Sequence, residues 1–224
     1  MIDIDQLDLA DWRRRVSDLY ATVRTEAAAD PERAWATWRE TRERLYRTHS
    51  QSPVPAAGRA AFRAQHWPYD PALRLEAVVQ AGGELAPQQP PAIAVAEQPF
   101  GGMTLALPIS TGGQEELTRI GFVEVPFPAG ARRLGVYWMS GYAGGVFVPF
   151  RDATNGRETY GAGRYLLDTA KSADLGPGSA PGSLIFDFNF AFHPSCAFDP
   201  QWSCPLASPE NILDLRLEAG ERLA

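Results

Sequence analysis

The polar groups best placed for chemistry lie in and just after the run Leu184 to His193. In an extended strand successive side chains point to opposite faces. Leu184, Phe186, Phe188, Phe190 and Phe192 then share one face, and Asp187, Asn189 and His193 share the other. The phenylalanine face has to be buried. The other face either meets water, as one face of an antiparallel sheet often does, or lines a polar cavity. In a cavity, Asp187 is a candidate general base and Tyr160 a hydrogen-bond donor to the reacting group. Arg164 follows Tyr160 on the same face of the stretch Glu158–Leu167, and its planar fork of donors suits a carboxylate or phosphate. Asn189, Tyr165 and His193 complete the candidate ligand-binding set. Gly161 and Gly163 allow a ligand or a neighbouring backbone to come close. A structural reading competes, in which the glycines mark a bend and Arg164 simply pairs with a carboxylate such as Asp187.

The chain has two cysteines, Cys196 and Cys204, in the loop that follows. They admit three readings: reduced residues packed like small apolar groups, a disulfide closing a short loop, or a metal or nucleophile site with His193. A structural zinc site wants four ligands, and only these three candidates are visible, so no metal is assigned. A Cys–His nucleophile needs a third group to orient the base, which Asp187 could supply. His49, His66 and His193 are the only histidines. There is no Walker-type loop, no Gly-x-Gly-x-x-Gly, no Gly-x-Ser-x-Gly elbow and no His-Glu-x-x-His. No cofactor is expected.

The elements that must position these groups follow from periodicity. Trp12, Val16, Leu19, Tyr20 and Val23 recur at helical steps. Asp30-Pro31 supplies an N-cap and first-turn proline for a second helix that carries Trp35, Trp38, Leu45 and Tyr46 on one side. Its other side (Arg39, Glu40, Arg42, Glu43, Arg44) reads as solvated, and it should end near His49. After a Pro/Ala/Gly-rich passage and the aromatic loop Trp67-Pro68-Tyr69-Asp70-Pro71, short β-type runs alternate with Gly and Pro. Strands are expected near Leu73–Gln80, Ala92–Ala96, Met103–Ile109, Leu117–Val125, Leu134–Ser140, Val146–Phe150, Glu158–Leu167, Leu184–Phe192 and Ile212–Glu218. Without crossover helices between them, they should pair antiparallel. The fold class is therefore α+β, mostly β: two N-terminal helices packed on an antiparallel β-barrel or sandwich of about nine strands. One domain is expected over 1–224, with a helical segment at 1–52 and a β-rich body at 73–224.

The net charge of −6 lacks the basic excess of a nucleic-acid binder. No stretch approaches the roughly 20 apolar residues of a membrane span. The acidic MIDIDQLDLADW start lacks a secretory apolar core, so a cytoplasmic location is expected.

Several motifs also occur in series: WRETRERLYRTHSQSP, VPFRDATNGRETYGAGRYL, DFNFAFHPSCAF, SCPLASPEN and EAGE. Together they resemble the domain-of-unknown-function family 1684 of bacteria and archaea. The resemblance implies a mixed fold with N-terminal helices and a β-rich body, and it implies no activity. It draws attention to Tyr160, Arg164, Asp187, Asn189, Cys196, Cys204, Glu210, Asn211 and Glu221. Cys196, Cys204, Glu210 and Asn211 read as structural, the last two as loop-fixing groups. Where the family usually shows Tyr-Asn-Pro-Pro-Cys, this chain has Phe192-His193-Pro194-Ser195-Cys196. His193 on an asparagine position weighs against both the metal and the Cys–His readings.

The expected function is binding of a small molecule with an acidic or polar group in the β-rich body, with cofactor-free acid–base catalysis as an extension. An interaction module using the Trp67-Pro68-Tyr69 loop and the helices is the alternative. A metal-dependent hydrolase using Cys196, Cys204 and His193 is a second. The expected partner is a small-molecule ligand, with no nucleic acid and no membrane, in a monomer or homodimer.

Overall fold

The computed structural model describes residues 4–82, 103–141 and 144–223; the strand expected near Ala92–Ala96 lies outside them. Helix α1 (Ile4–Ala27) and helix α2 (Pro31–Thr48) form an antiparallel hairpin. Asp30 caps α2 by accepting from the Arg33 N–H at 3.0 Å, and Pro31 sets its first turn. The hairpin buries Leu19, Tyr20, Val23, Trp35 and Trp38 together with Phe190 and Leu175 from the body. Trp35 Nε1 donates to the Asn189 carbonyl at 2.9 Å and Trp38 Nε1 to the Tyr20 hydroxyl at 3.0 Å. The aromatic stripe thus carries its own polar handles into the core. A single turn, α3 (Ala56–Arg59), follows.

Among the described residues the body holds nine strands: β1 (Gln65–His66), β2 (Arg74–Val78), β3 (Met103–Pro108), β4 (Gln114–Val125), β5 (Arg132–Met139), β6 (Gly145–Phe150), β7 (Arg164–Asp168), β8 (Ser183–Asp187) and β9 (Glu221–Arg222). Strands β3 to β7 form one antiparallel meander in chain order, and β2–β8 and β1–β9 are two short antiparallel pairs. One face of the meander packs Val123, Leu134, Val136, Val148 and Phe150 against Phe186 and Phe188. The opposite face packs Leu105, Leu117, Tyr137, Phe147 and Tyr165 against Cys196 and Cys204. Beyond a bulge at Ile120, β4 exchanges β3 for the chain at Gln80, with reciprocal bonds of 2.8 and 2.9 Å between Gln80 and Phe122. A Cβ at Gly121 would stand 2.2 Å from the Gln80 carbonyl oxygen, so this crossing requires glycine.

The fold is α+β with antiparallel sheets, and the expected barrel is corrected: the sheets do not close. Closure needs the first and last strands to pair. The outer edge of β7 pairs instead with Phe192, through Tyr165. Three strand boundaries are corrected too. Residues 158–163 turn rather than extend, because Gly163 sits at φ +108 with its Cα pressed on the Phe150 carbonyl, where a Cβ would come within 2.4 Å. The run from Leu184 stops at Asp187, whose side chain accepts from the Asn189 N–H at 3.0 Å and starts a 3₁₀ turn, Phe188–Phe190. Residues 212–218 form no strand; they run beside Arg151 and Ala153 through isolated main-chain bonds such as Leu213 N–H to the Arg151 carbonyl at 2.8 Å.

The C-terminal segment is held by one buried cation. Arg164 is 1% exposed. Its Nη1 donates to the Ala219 carbonyl and to the Glu221 carbonyl at 3.3 Å; its Nη2 donates to the Leu217 carbonyl at 3.1 Å and to Asp152 at 3.4 Å. Asp152 in turn accepts from Thr154 and from the Leu217 N–H at 2.8 Å. Removing one partner of a buried pair leaves the other charge uncompensated. Arg164→Met is therefore expected to cost about 3–5 kcal/mol in urea unfolding; a loss below about 1 kcal/mol, as for a surface pair, would refute the clamp.

His66 lies between Trp35 and Trp38, and neither ring nitrogen has a partner among the described residues. Burial lowers its pKa to about 4. The unfolded chain, with histidine near its ordinary value of about 6.5, then binds the proton that the folded one refuses. This contribution to stability is present above about pH 6.5 and is lost as pH falls toward 4. The melting temperature of His66→Phe should fall less over that interval than that of the unaltered chain; parallel slopes would disprove the assignment.

Candidate functional site

The structure keeps Asp187 and Asn189 in contact but places His193 apart from them, in a separate cleft. Asp187 is buried with its oxygens taken: Oδ2 accepts from Arg74 at 3.0 Å and from the Tyr69 hydroxyl at 3.3 Å, and Oδ1 from Asn189 Nδ2 at 2.8 Å. Burial raises its pKa, against the pull of Asn189 and Arg74. Asn189 is fully buried, accepting from the Asp70 N–H and donating to the Asp70 carbonyl, both at 2.8 Å. These residues lock the 69–74 loop onto β8. Arg164 meets Asp152, not Asp187. Tyr160 packs with Tyr165 and Cys196, in a different cluster from β8, so the Asp187–Tyr160 acid–base pair is not assembled. The physical reason is the 3₁₀ turn: it ends the alternation on which the shared polar face depended.

Glu210 and Asn211 reach the meander from the 206–213 loop. Glu210 takes both oxygens to Arg119 Nε, at 2.9 and 3.0 Å, and accepts from the Tyr137 hydroxyl. Asn211 bonds the N–H and carbonyl of Gly135, at 2.6 and 3.0 Å, and the Pro149 carbonyl at 2.7 Å. A Cβ at Gly135 would stand 2.3 Å from Glu210 Oε1, so the loop can lie this close only over glycine.

Tyr165, His193 and Cys204 do come together, along a cleft of about 380 Å³ between the helical hairpin and the edge of the body. The hairpin contributes Trp12, Tyr20 and Arg42, and β7 ends in the cleft with Asp168. Asp168 Oδ2 pairs with Lys171 at 2.7 Å, while its side chain is only 2% exposed and Oδ1 is buried without a partner among the described residues. Trp202 Nε1 and Arg42 Nε, on other walls of the cleft, are likewise buried without partners. The Tyr20 hydroxyl is pushed up to about 12 by burial, with Arg42 lowering it and Asp168 raising it, so one hydroxyl feels the charges of both walls. His193 is neutral: burial lowers it to about 4, its Nε2 accepts the Tyr160 backbone N–H at 3.2 Å, and its backbone N–H donates to Glu221 at 2.7 Å.

Arg42 was expected on a solvated helix face. Its side chain is 12% exposed instead, stacked over Tyr46 at 4.3 Å and Phe192 at 4.8 Å, with Nη2 on Glu221 at 3.1 Å. Its position four residues after Trp38 and four before Tyr46 puts it on the apolar stripe, which is the signal that could have found it. Asp168 and Trp202 were also missed. An aspartate ending the run Arg164–Asp168, every residue of which is buried, is the corresponding signal.

Beside the cleft, Cys196 and Cys204 are both reduced and buried. The Cys196 N–H donates to Cys204 Sγ at 3.4 Å. The Cys204 side chain brings the Cys196 thiol down to about 6, against burial and with help from Ser110 and Tyr160; the Cys204 thiol is correspondingly raised. The metal alternative is not assembled: among the described residues no three His, Cys, Asp or Glu groups are placed to hold an ion. The aromatic loop of the interaction alternative is not an exposed patch, since Trp67 is buried against Arg164 and Tyr69 bonds Asp187. No described helix is long and apolar enough to cross a membrane.

Comparison with known proteins agrees with this architecture. No curated protein matches the chain. The solution NMR structure of an uncharacterised protein of Haloarcula marismortui is similar, with a TM-score of 0.57 and 26% identity over 88% of this chain and 97% of that one. Residues 60–222 match the family described as protein of unknown function DUF1684, and with that match covering most of its length the chain belongs to this family.

Proposed function

We propose that the protein binds a small polar organic molecule in the cleft between the helical hairpin and the end of β7. The observation that carries this reading is the orphaned Asp168 Oδ1, a buried carboxylate oxygen in a cleft wall with no partner among the described residues. A buried polar atom left without a hydrogen bond costs about 1–3 kcal/mol, and more when charged. A guest that donates to it removes that cost. Trp202 Nε1 and Arg42 Nε, each unpartnered, would donate to an acceptor on the same guest, and the rings of Trp12, Tyr20 and Tyr165 offer an apolar body its contacts. The volume of about 380 Å³ is within the range of small-molecule sites. The ligand this describes has an apolar core, a donor such as a hydroxyl, amide or amine, and a polar or acidic acceptor. Arg164, Asp187 and Asn189 stand apart from the contact set, because none of them lines the cleft.

The test is a fragment screen by NMR, following the indole N–H signals of Trp12 and Trp202. Fragments bearing both a donor and an acceptor should move both signals. Asp168→Asn, which keeps the shape and removes the charge, should weaken those fragments about 10-fold or more, the worth of one charge-assisted hydrogen bond. Binding that leaves both indoles unmoved, or that ignores Asp168→Asn, would reject the cleft as the site.

A further inference from the structure

We infer that Cys196 and Cys204 are a reversible oxidation site, a thiol pair that a small hydroperoxide converts to a disulfide. The two cysteines are the only ones in the chain, and the fold spends several bonds on keeping them together. Ser110 Oγ donates to the Trp202 carbonyl at 2.8 Å and accepts the Cys204 N–H at 3.0 Å, while the Ser110 N–H donates to the Cys204 carbonyl at 3.0 Å. Tyr165 holds the next residue through its hydroxyl and the Pro205 carbonyl at 2.6 Å. The 3₁₀ turn Ser195–Ala197 presents Cys196 from the other side, so that its N–H meets Cys204 Sγ. Cys204 Sγ already lies 3.4 Å from the Cys196 backbone nitrogen, within reach of the Cys196 side chain, so a covalent S–S bond of about 2.05 Å asks for side-chain movement and not for refolding of the chain.

The pair is also polarised. The side chains of Cys204, Ser110 and Tyr160 lower the Cys196 thiol while the Cys204 thiol is raised, so Cys196 is the more acidic of the two and the one that ionises first. The thiolate is the nucleophile in such chemistry. Two cysteines that served only as apolar filling would need neither the tyrosine hydroxyl nor this asymmetry. Both cysteines are nearly buried, at 6% and 7% exposure, with the cleft reaching Cys204 and the half-buried Tyr160 packed against the cluster that holds both. A hydroperoxide can enter such a site, and a bulky disulfide oxidant cannot.

The chemistry balances in two steps. The Cys196 thiolate attacks the terminal oxygen of the hydroperoxide; the O–O bond breaks, the sulfur is oxidised to a sulfenic acid, and the departing alkoxide or hydroxide takes a proton from solvent. Cys204 sulfur then attacks the sulfenic sulfur; the S–O bond breaks, and the hydroxide leaves with the Cys204 proton as water. Two thiols and one hydroperoxide yield one disulfide, one water and one alcohol or second water. A small dithiol reverses the change by exchange.

The full chain, reduced and then exposed to one equivalent of hydrogen peroxide at pH 7, tests this. Thiols titrated after unfolding should fall from two to none, the intact mass should drop by two hydrogen atoms, and dithiothreitol should restore both. The rate of thiol loss should rise with pH through about 6 and then level, and Tyr160→Phe should shift that midpoint upward. In Cys204→Ser, dimedone should trap a sulfenic acid on Cys196. Survival of both thiols, oxidation of one thiol to a sulfinic acid with no disulfide, a disulfide between two chains, or equally fast oxidation by glutathione disulfide would each overturn the proposal. The first three outcomes are read on the unaltered protein, so they stand even if a variant fails to fold.

Discussion

The Arg164 guanidinium, buried with its donors on three carbonyls of the C-terminal segment and on Asp152, is the interaction on which the rest of the arrangement depends. It starts β7 and fixes residues 217–221 across it. That placement puts Glu221 where its carboxylate can meet both Arg42 of α2 and the N–H of His193. Two buried ion pairs, Arg164–Asp152 and Arg42–Glu221, thus form a chain from the meander through the C-terminus to the helical hairpin. A buried charge is tolerated only when paired and hydrogen-bonded; Arg42 takes its partner from 179 residues away, and Arg164 adds to the nearby Asp152 three carbonyls that lie 53 to 57 residues on.

The cleft is a consequence of that chain of contacts. The hairpin is tied to the body by Trp35 with Asn189 and Arg24 with Asp174. Space remains where Asp168 emerges, and there the polar satisfaction stops. The contrast between fully bonded groups such as Asn189 and the orphaned Asp168 Oδ1 separates structural polar residues from candidate functional ones. Residue type alone does not, since both are buried side chains on neighbouring elements of one body.

The legible parts of the sequence were those governed by local rules. Helix α2 announced its start through Asp30-Pro31 and its buried face through Trp35, Trp38, Leu45 and Tyr46. The runs at β3, β4, β5 and β6 appeared as β-branched and aromatic stretches between glycines and prolines. The site was less legible. Asp187 and Asn189 were read as outward neighbours on a strand, a reading that fails because an aspartate can cap the backbone two residues on as readily as it can point from a sheet. Arg42, among charged neighbours on a helix, gave the pattern of a wet face. It is buried because a carboxylate 179 residues later reaches it.

By itself the sequence determined the helices, most of the strands, the net negative charge and the presence of a single cysteine pair, because each depends on composition or on side-chain period over a few residues. The tertiary structure alone decided which polar residues are spent and which are spare. That depends on pairings such as Arg164 with Leu217, Tyr69 with Asp187 and Ser110 with Cys204, made between segments far apart in the chain. A buried donor or acceptor is defined by what lies within about 3 Å of it, and no local pattern of residues encodes that distance.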